Sequence, residues 1–428
     1  MKQKINTDIA ILGGGASGIL AAISSAYQFK KSNIPYNITI LEKNARIAKK
    51  ILITGNGKCN LTNQNITLRN YNLPARGFIK NILSQYNCDF VVSLFKKLGL
   101  LTRSDSMGRV YPYSNQASTV VDVLINELSR LKINIYCNFE TTLIERKNNK
   151  FYIESSDTII NAKKLIIACG GKASPFNAFC MDAYKYLSSF GHTITALSPT
   201  LVPIKTNSGF EKSLKGIRTP GVVSLIAEDK IILEESGEIQ FTESGLSGIC
   251  IFQMSALVGE FLNFKTINYN PVKNVLISID LMPEFSKSVI IKLLKDKIKH
   301  FPGNSVENLF TGILNKKVGQ VILKKSSITN LSLKCSSLSE KHLTLIADNV
   351  KNFSFTPVGI LPFKNAQVTC GGAVLEEFNC DTLESKKMQG LYSCGEILNV
   401  NGDCGGYNLH WAWVSGFVAG KSAASSCI

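Results

Sequence analysis

The sequence predicts an α/β protein built on a discontinuous, Rossmann-like dinucleotide-binding domain, interrupted by a β-rich and then a helical insertion. Three observations carry this. An apolar run of strand length, Asp8–Leu12, leads into the glycine turn Gly13–Gly18. A second buried-strand candidate, Lys164–Ala168, again ends in glycines, Gly170 and Gly171. A third, Leu391–Glu396, repeats the pattern near the C-terminus. Apolar strands with glycine at their carboxyl ends suit one parallel, buried sheet, whose ligands bind at those ends.

After the turn, Ile19–Phe29 is rich in Ala, Ile and Leu and reads as a helix. Ile38–Leu41 is β-branched and apolar and ends at Glu42, which completes a βαβ unit. Over residues 195–280, Thr and Val alternate with polar residues between Pro and Gly turns, as in Gly216–Leu225. Over residues 284–350 the pattern becomes helical, and Ser288–Leu294 opens one amphipathic helix. The expected partition is 1–190 for the first part of the nucleotide-binding domain, 191–280 for the β-rich insertion, 281–350 for the helical piece and 351–428 for the returning part.

A chain of 428 residues is too long for one ordinary core. Its 45% hydrophobic and 18% charged content is globular rather than disordered. The 12 cysteines are scattered and no pair has C-x-x-C spacing, which argues against a disulfide scaffold, a zinc ribbon or a thioredoxin-type pair. Reduced, packed thiols in a cytoplasmic protein is the expectation. The net charge of +17 admits a polyanion partner. The lysines are nevertheless spread along the chain with no run of five or six, so nucleic acid is the less favoured partner. Lys2 and Lys4 before an apolar stretch imitate a signal peptide, but Asp8 and three glycines interrupt it. No apolar run has the length of a membrane span. Neither a zinc-protease motif, nor a Ser-His-Asp pattern, nor a Walker loop is present, so metal and phosphoryl-transfer chemistry find no support.

Gly13, Gly15 and Gly18 satisfy G-x-G-x-x-G, with Ala16 and Ser17 opening the helix. Gly13 permits the tight turn, Gly15 the close approach of a pyrophosphate, and Gly18 the packing of helix on strand. The helix N-terminus offers unpaired N–H groups and a partial positive charge. Glu42 is positioned to accept ribose hydroxyls, and its charge opposes a 2′-phosphate. The fingerprint alone leaves NAD and FAD open. Its N-terminal position, the Ala168–Gly171 segment and the Gly395-Glu396 segment favour FAD. A second full fingerprint, as an additional NAD domain would need, is absent.

The run Lys50–Asn63, which contains Thr54-Gly55-Asn56-Gly57-Lys58-Cys59-Asn60, resembles a signature of the BaiN/RdsA-type flavoproteins, also known as aminoacetone-oxidase-like FAD-binding proteins. Gly108–Pro112, Phe241–Gly248, Gly371–Val374, Thr382–Lys386 and Gly395–Trp413 match in order, so the resemblance spans essentially the whole chain. It implies a discontinuous FAD domain, an inserted β-barrel-like domain and a small helical domain. It also implies that Thr54–Asn60 runs beside the flavin, with Lys43 and Lys50 among the cofactor contacts. Gly395 and Glu396, with Gly405, Gly406, Tyr407, Asn408 and Leu409, would close over the ribityl and pyrimidine side. A helix starting near Tyr407 would stabilise negative charge on the reduced flavin.

The sequence departs from the pattern in places. Ala48-Lys49 and Lys58 stand where Gly-Arg and Arg are usual, and lysine lacks the guanidinium fork. Residues 177–184, with bulky Phe179 and Met181, replace a loop of small residues, which puts substrate class and cofactor retention in question. Asn399 sits where Asp is common.

The catalytic residue is not legible. Cys59 and Cys404 lie in flavin-facing loops, though a small packed residue is the plainer reading of each. His410 is a general-acid candidate, weakened because the family commonly carries Gln there. His192 reads as a helix end. Arg109 and Tyr111 could bind an anionic substrate or form a turn around a buried arginine. Trp411 and Trp413 read as helix packing. The expected activity is FAD-dependent hydride transfer from a transiently bound NAD(P)H to an organic acceptor such as an activated alkene. A flavin oxidase using O2, a basic flavoprotein acting on or binding RNA, and a flavin protein without turnover are the alternatives.

Overall fold

The computed structural model describes residues 2–173, 181–262 and 274–428. The chain forms two compact units, one of residues 1–198 and 367–428, the other of residues 199–366.

The first unit is built on a sheet ordered Asn134–Tyr136, Ile38–Leu41, Gln3–Leu12, Thr158–Ile167, Lys150–Glu154, Leu143–Lys147. Leu391–Ser393 adds in parallel to Leu165–Ile167, while the first half of that long strand pairs antiparallel with Phe151–Glu154. The C-terminal segment thus returns to the centre of the N-terminal sheet. The first strand begins at Gln3, ahead of its apolar part, because polar Gln3–Thr7 pairs in parallel with Thr158–Ala162. The helix after the turn covers Ala16–Lys31, and the last helix covers Tyr407–Ser425.

These two helices cross at glycine distance. A side chain on Gly416 would start 2.2 Å from the Ser17 carbonyl oxygen. One on Gly420 would start 2.1 Å from the Ala21 carbonyl oxygen and 2.3 Å from Ser24 Oγ. Ser25 Oγ donates to the Gly420 carbonyl at 2.9 Å. Trp411 and Trp413 are buried in the same helix, and their indole N–H groups donate to the carbonyls of Gly395 and Leu61. Both tryptophans therefore serve packing.

The second unit holds a seven-stranded sheet with antiparallel pairings, ordered Phe353–Phe355, Leu276–Asp280, Arg218–Ala227, Lys230–Thr242, Gly245–Ser247, Ile204–Thr206, Pro357–Ile360. Its two edge strands are separated in sequence only by Thr356. The sheet must therefore curl until its edges meet, which is barrel-like. Helices Lys287–His300, Lys316–Lys325 and Glu340–Lys351 share one hydrophobic core with it, where Ile290, Ile322 and Ile346 join Phe241, Ile279 and Phe353.

The space beside each glycine predicts opposite signs for two replacements, one at this crossing and one away from it. Gly420→Val should cost about 3 kcal/mol, because its neighbours are backbone and cannot retreat. Gly77 is exposed on the Leu73–Gln85 helix, with nothing within 4 Å of its would-be Cβ. Gly77→Ala should stabilise by about 1 kcal/mol. Urea unfolding of the two variants checks both.

Candidate cofactor and active site

The glycine turn follows from local sterics. Gly13 has φ +108° and a side chain there would lie 2.6 Å from the Ala168 carbonyl oxygen. A side chain on Gly18 would lie 1.9 Å from the Gly13 carbonyl oxygen. Gly14 is equally constrained, since its Cβ would meet Ile47 at 2.4 Å. Gly15 differs. Its φ of −84° suits any residue, and its would-be Cβ meets nothing within 4 Å. The chain itself does not require glycine at this helix start. An open cradle at a helix N-terminus, with no acid in the first turn, is what a pyrophosphate needs.

Glu42 is buried at the end of the second strand. One carboxylate oxygen accepts from Gly14 N at 2.8 Å, and the other accepts from Asn44 N at 2.8 Å and Asn44 Nδ2 at 2.6 Å. These bonds offset the cost of burying the charge and fix it at the turn. Lys43 pairs with Glu140 at 3.0 Å.

The loop after the turn is tied to the far end of the sequence. Ala48 N donates to the Gly14 carbonyl, and Lys50 Nζ meets Glu396 Oε2 at 2.7 Å. The other Glu396 oxygen accepts from Thr369 N at 2.7 Å, and Thr369 Oγ1 accepts from Ala173 N at 2.9 Å. Gly171 is glycine because a side chain there would strike this Glu396 carboxylate at 2.6 Å. Ala168 N donates to the Leu12 carbonyl, and Gly170 takes φ +73° beside it. Thr369 was not singled out from sequence, although it precedes a Gly371-Gly372 pair that repeats the strand-then-glycine signal.

Residues Ile51–Gly57 form a broken 3-10 turn in which Thr54 is extended and Gly55 and Asn56 are left-handed. Gly57 and Cys59 also have positive φ, so Gly55–Lys58 project as an exposed loop while Cys59 and Asn60 turn inward. Gly406 caps the last helix. A side chain on it would lie 2.6 Å from the Thr62 carbonyl and 2.7 Å from Asn60 Oδ1. Asn60 Oδ1 is buried and accepts no hydrogen bond among the described residues. Asn408 spans the loop before the helix, accepting from Gly402 N and donating to the carbonyls of Gly402 and Asp403, while Leu409 is part-buried behind it. Gly395 approaches Ser17 so closely that a Cβ would lie 2.5 Å from Ser17 Oγ. The turn at 13–18, the loop at 54–60 and the segments at 395–396 and 405–409 thus meet in one unit. The open Gly15 cradle and the unpaired Asn60 oxygen fit a bound dinucleotide cofactor.

The family described as HI0933-like protein Rossmann domain matches residues 7–422. The chain belongs to this family. It is a Rossmann-fold flavoprotein of the oxidoreductase class. Among its relatives, a 3-dehydro-bile acid delta(4,6)-reductase of Clostridium scindens is 36% identical, covering 97% of this chain and 98% of the relative. A ribosomal RNA dihydrouridine synthase of Haemophilus influenzae is 27% identical over 96% of this chain and 97% of the relative. Among solved structures, E. coli quinol fumarate reductase FrdA aligns with TM-score 0.51 at 14% identity, covering 99% of this chain and 71% of that one. That likeness is one of fold. Among the described residues no helix is long and apolar enough to cross a membrane, and no group of three or more potential ligands is placed to hold a metal.

The candidate proton and thiol groups are placed less favourably than the sequence suggested. His410 is fully buried, with Nδ1 2.8 Å from Thr62 Oγ1 and Nε2 3.0 Å from the Tyr86 carbonyl. Burial pushes it down to about 4, so the ring is neutral near pH 7 and bridges two segments. Both ring nitrogens are thus engaged within the protein. Cys59 is buried and pushed up to about 12 by desolvation, which favours the protonated thiol. Cys404 is pushed up to about 11 by burial, against the pull of the Arg109 charge, and its Sγ approaches Gln367 Oε1 at 3.8 Å. His192 stacks on Phe378, with its nitrogens against Glu377 and Ser385, and is structural. Of the 177–184 departure, Phe179 and its neighbours up to residue 180 lie outside the described residues. The helix Met181–Ser189 buries Ala183 and Tyr184.

Two predictions follow from these geometries. Gly15→Val should leave the unfolding midpoint nearly unchanged yet abolish FAD retention, read from bound flavin after gel filtration, whereas Gly18→Val should impair folding itself. Neutral His410 binds fewer protons folded than unfolded, so its stabilisation is present above its ordinary value of 6.5 and is lost as pH falls towards about 4. His410→Gln keeps a donor and an acceptor without titrating. Between pH 7 and 4.5 it should lose on the order of 2 kcal/mol less stability than the parent, measured by urea unfolding.

Proposed function

We propose that this chain is an FAD-dependent reductase, taking hydride from a reduced nicotinamide and delivering it to a carbon–carbon double bond conjugated to a carbonyl. The observation that carries the reading is the meeting of the glycine turn, Glu42, the Lys50–Glu396 pair and the Gly405-Gly406 helix start in one unit. FAD held there supplies a two-electron centre that accepts hydride from one molecule and gives it to another.

The chain's own groups would bind and orient it. Gly15 leaves the Ala16–Lys31 helix N-terminus open to the pyrophosphate. A carboxylate has roughly four acceptor positions, of which Glu42 uses three on Gly14 and Asn44, leaving capacity for a ribose hydroxyl. The Tyr407–Ser425 helix has no acid in its first turn, so its positive end is free to favour negative charge on a reduced ring.

The acceptor class is supported by the relatives' names. A 3-dehydro-bile acid delta(4,6)-reductase acts on double bonds conjugated to a ketone. A dihydrouridine synthase saturates a pyrimidine double bond conjugated to a carbonyl. A second reading, reduction of uracil within RNA, is favoured by the +17 charge and by the ribosomal RNA relatives.

The test is anaerobic. NADH or NADPH should bleach the visible flavin band, and a steroid dienone should restore it faster than dissolved O2 does. Reoxidation by O2 alone would mark an oxidase. If no nicotinamide bleaches the flavin, the donor assignment is wrong. Reoxidation by uridine-containing RNA but not by the dienone would select the second reading, with salt-sensitive binding as its companion sign.

A further inference from the structure

We propose that Arg109 and Tyr111 form a carbonyl-polarising pair, which holds the oxygen of the α,β-unsaturated carbonyl and takes up the negative charge that develops there. The inference rests on the flavin reading above and names two residues of that site.

Arg109–Pro112 is a short strand whose residues alternate between half-buried and buried. Arg109 and Tyr111 therefore share one open face, while Val110 and Pro112 face inward. The strand pairs with Thr62–Asn63, directly after the Thr54–Asn60 loop, and on its other side with Thr102–Ser104. The Tyr111 ring lies 3.6 Å from where a Gly55 side chain would begin. Asn63, opposite Arg109, donates to the Gly405 carbonyl at 3.0 Å, which ties this small sheet to the loop before the last helix. The open face thus carries a cation and a phenol beside both loops assigned to the flavin.

Their chemistry is prepared for an oxygen that gains charge. Arg109 Nε meets Asp105 Oδ2 at 2.7 Å, and Asp105 Oδ1 accepts from the backbone N–H groups of Met107 and Arg109 at 3.0 Å each. Asp105 is thereby fixed by its own turn and holds the guanidinium by one edge. The two terminal guanidinium nitrogens and the Tyr111 hydroxyl bond to no other described residue. Burial pushes the Tyr111 hydroxyl up while the Arg109 charge pulls it back, so at neutral pH it stays a proton-bearing donor. Arg109 supplies a permanent charge with planar N–H groups.

Bound FAD, once reduced, would supply the hydride that forms the new C–H bond at the β carbon. The carbon–carbon π pair becomes the bond between α carbon and carbonyl carbon, and the carbonyl π pair moves onto oxygen. Donors aimed at that oxygen bind the enolate better than the ketone, which is the condition for lowering the barrier. A proton from water would then add at the α carbon and the oxygen return to a carbonyl, so that two hydrogens are added for the two electrons the reduced cofactor would give up.

A phenolate imitates the enolate, so binding can be read without turnover. The probe is p-nitrophenol titrated into the FAD-loaded protein, followed by the nitrophenolate absorbance. Wild type should bind the ionised form. Tyr111→Phe should weaken binding about tenfold, and Arg109→Gln about a hundredfold, as expected for losing a hydrogen bond to a charged group. Arg109→Lys, which keeps the charge, should fall between and serves if the glutamine variant fails to fold. Flavin content and thermal midpoint are measured alongside. Wild type that holds FAD but binds no phenolate, or variants that bind it as tightly as wild type, would overturn the inference alone. Wild type that takes up no FAD would overturn the cofactor reading together with it.

Discussion

The site depends on one close approach, the crossing of the first helix by the last. Gly416 and Gly420 let the Tyr407–Ser425 helix lie against the backbone at Ser17 and Ala21, closer than any side chain would allow. The contact is made within the first turns of the Ala16–Lys31 helix, next to the glycine turn. It therefore sets where the last helix begins, and with it Gly405 and Gly406. Ser25 bonding to the Gly420 carbonyl and Ser415 accepting from Gly395 N fix the remaining freedom. Dense backbone packing of this kind gains many small dispersion contacts and tolerates no added volume.

Around this crossing the polar groups divide into two kinds. Some shape the site and are spent on the chain itself. Glu396 is the clearest, since Lys50 and Thr369 N occupy its two oxygens and Gly171 is cut back to admit it. Asp105, Asn408 and neutral His410 act in the same way. A half-buried ion pair such as Lys50–Glu396 is weak evidence for stability, because desolvation consumes much of the attraction. Its consequence here is positional: residues 50 and 396, remote in sequence, can be held in only one register.

The nucleotide-binding half was legible because its signals are local. Gly13, Gly15, Gly18 and Glu42 sit at spacings that one βαβ unit dictates, and the strands at Lys164–Ala168 and Leu391–Ser393 announce themselves by apolar runs ending in glycine. What was not legible depends on partners far along the chain. Gly416 and Gly420 look like ordinary small residues of an apolar helix until the first helix is laid on them. Polar Gln3–Thr7 gives no strand signal of its own and is recruited by Thr158–Ala162. His410 reads as an acid beside a flavin loop, yet both nitrogens face carbonyl or hydroxyl oxygens inside the protein. Nothing in the sequence of Phe353–Ile360 says that its two short strands lie at opposite edges of one sheet.

The groups left unspent carry the functional meaning. Asn60 Oδ1 is one of several buried side-chain atoms without a hydrogen-bond partner among the described residues, and it lies against Gly406, where a bound molecule can complete the pairing. The same unit leaves two further features open, the backbone at Gly15 and the half-buried face of Arg109 and Tyr111. They differ in character along one path. The Gly15 end offers only backbone N–H and a helix dipole, suited to a constant charged group. The Arg109 end offers side chains on a short strand paired with Thr62–Asn63. With the acceptor on the Arg109 face, as proposed above, a cofactor anchor built from backbone beside a face built from side chains would let one fold keep its cofactor while its acceptor changes. That is the pattern expected of a family whose members' names range from bile acid to ribosomal RNA.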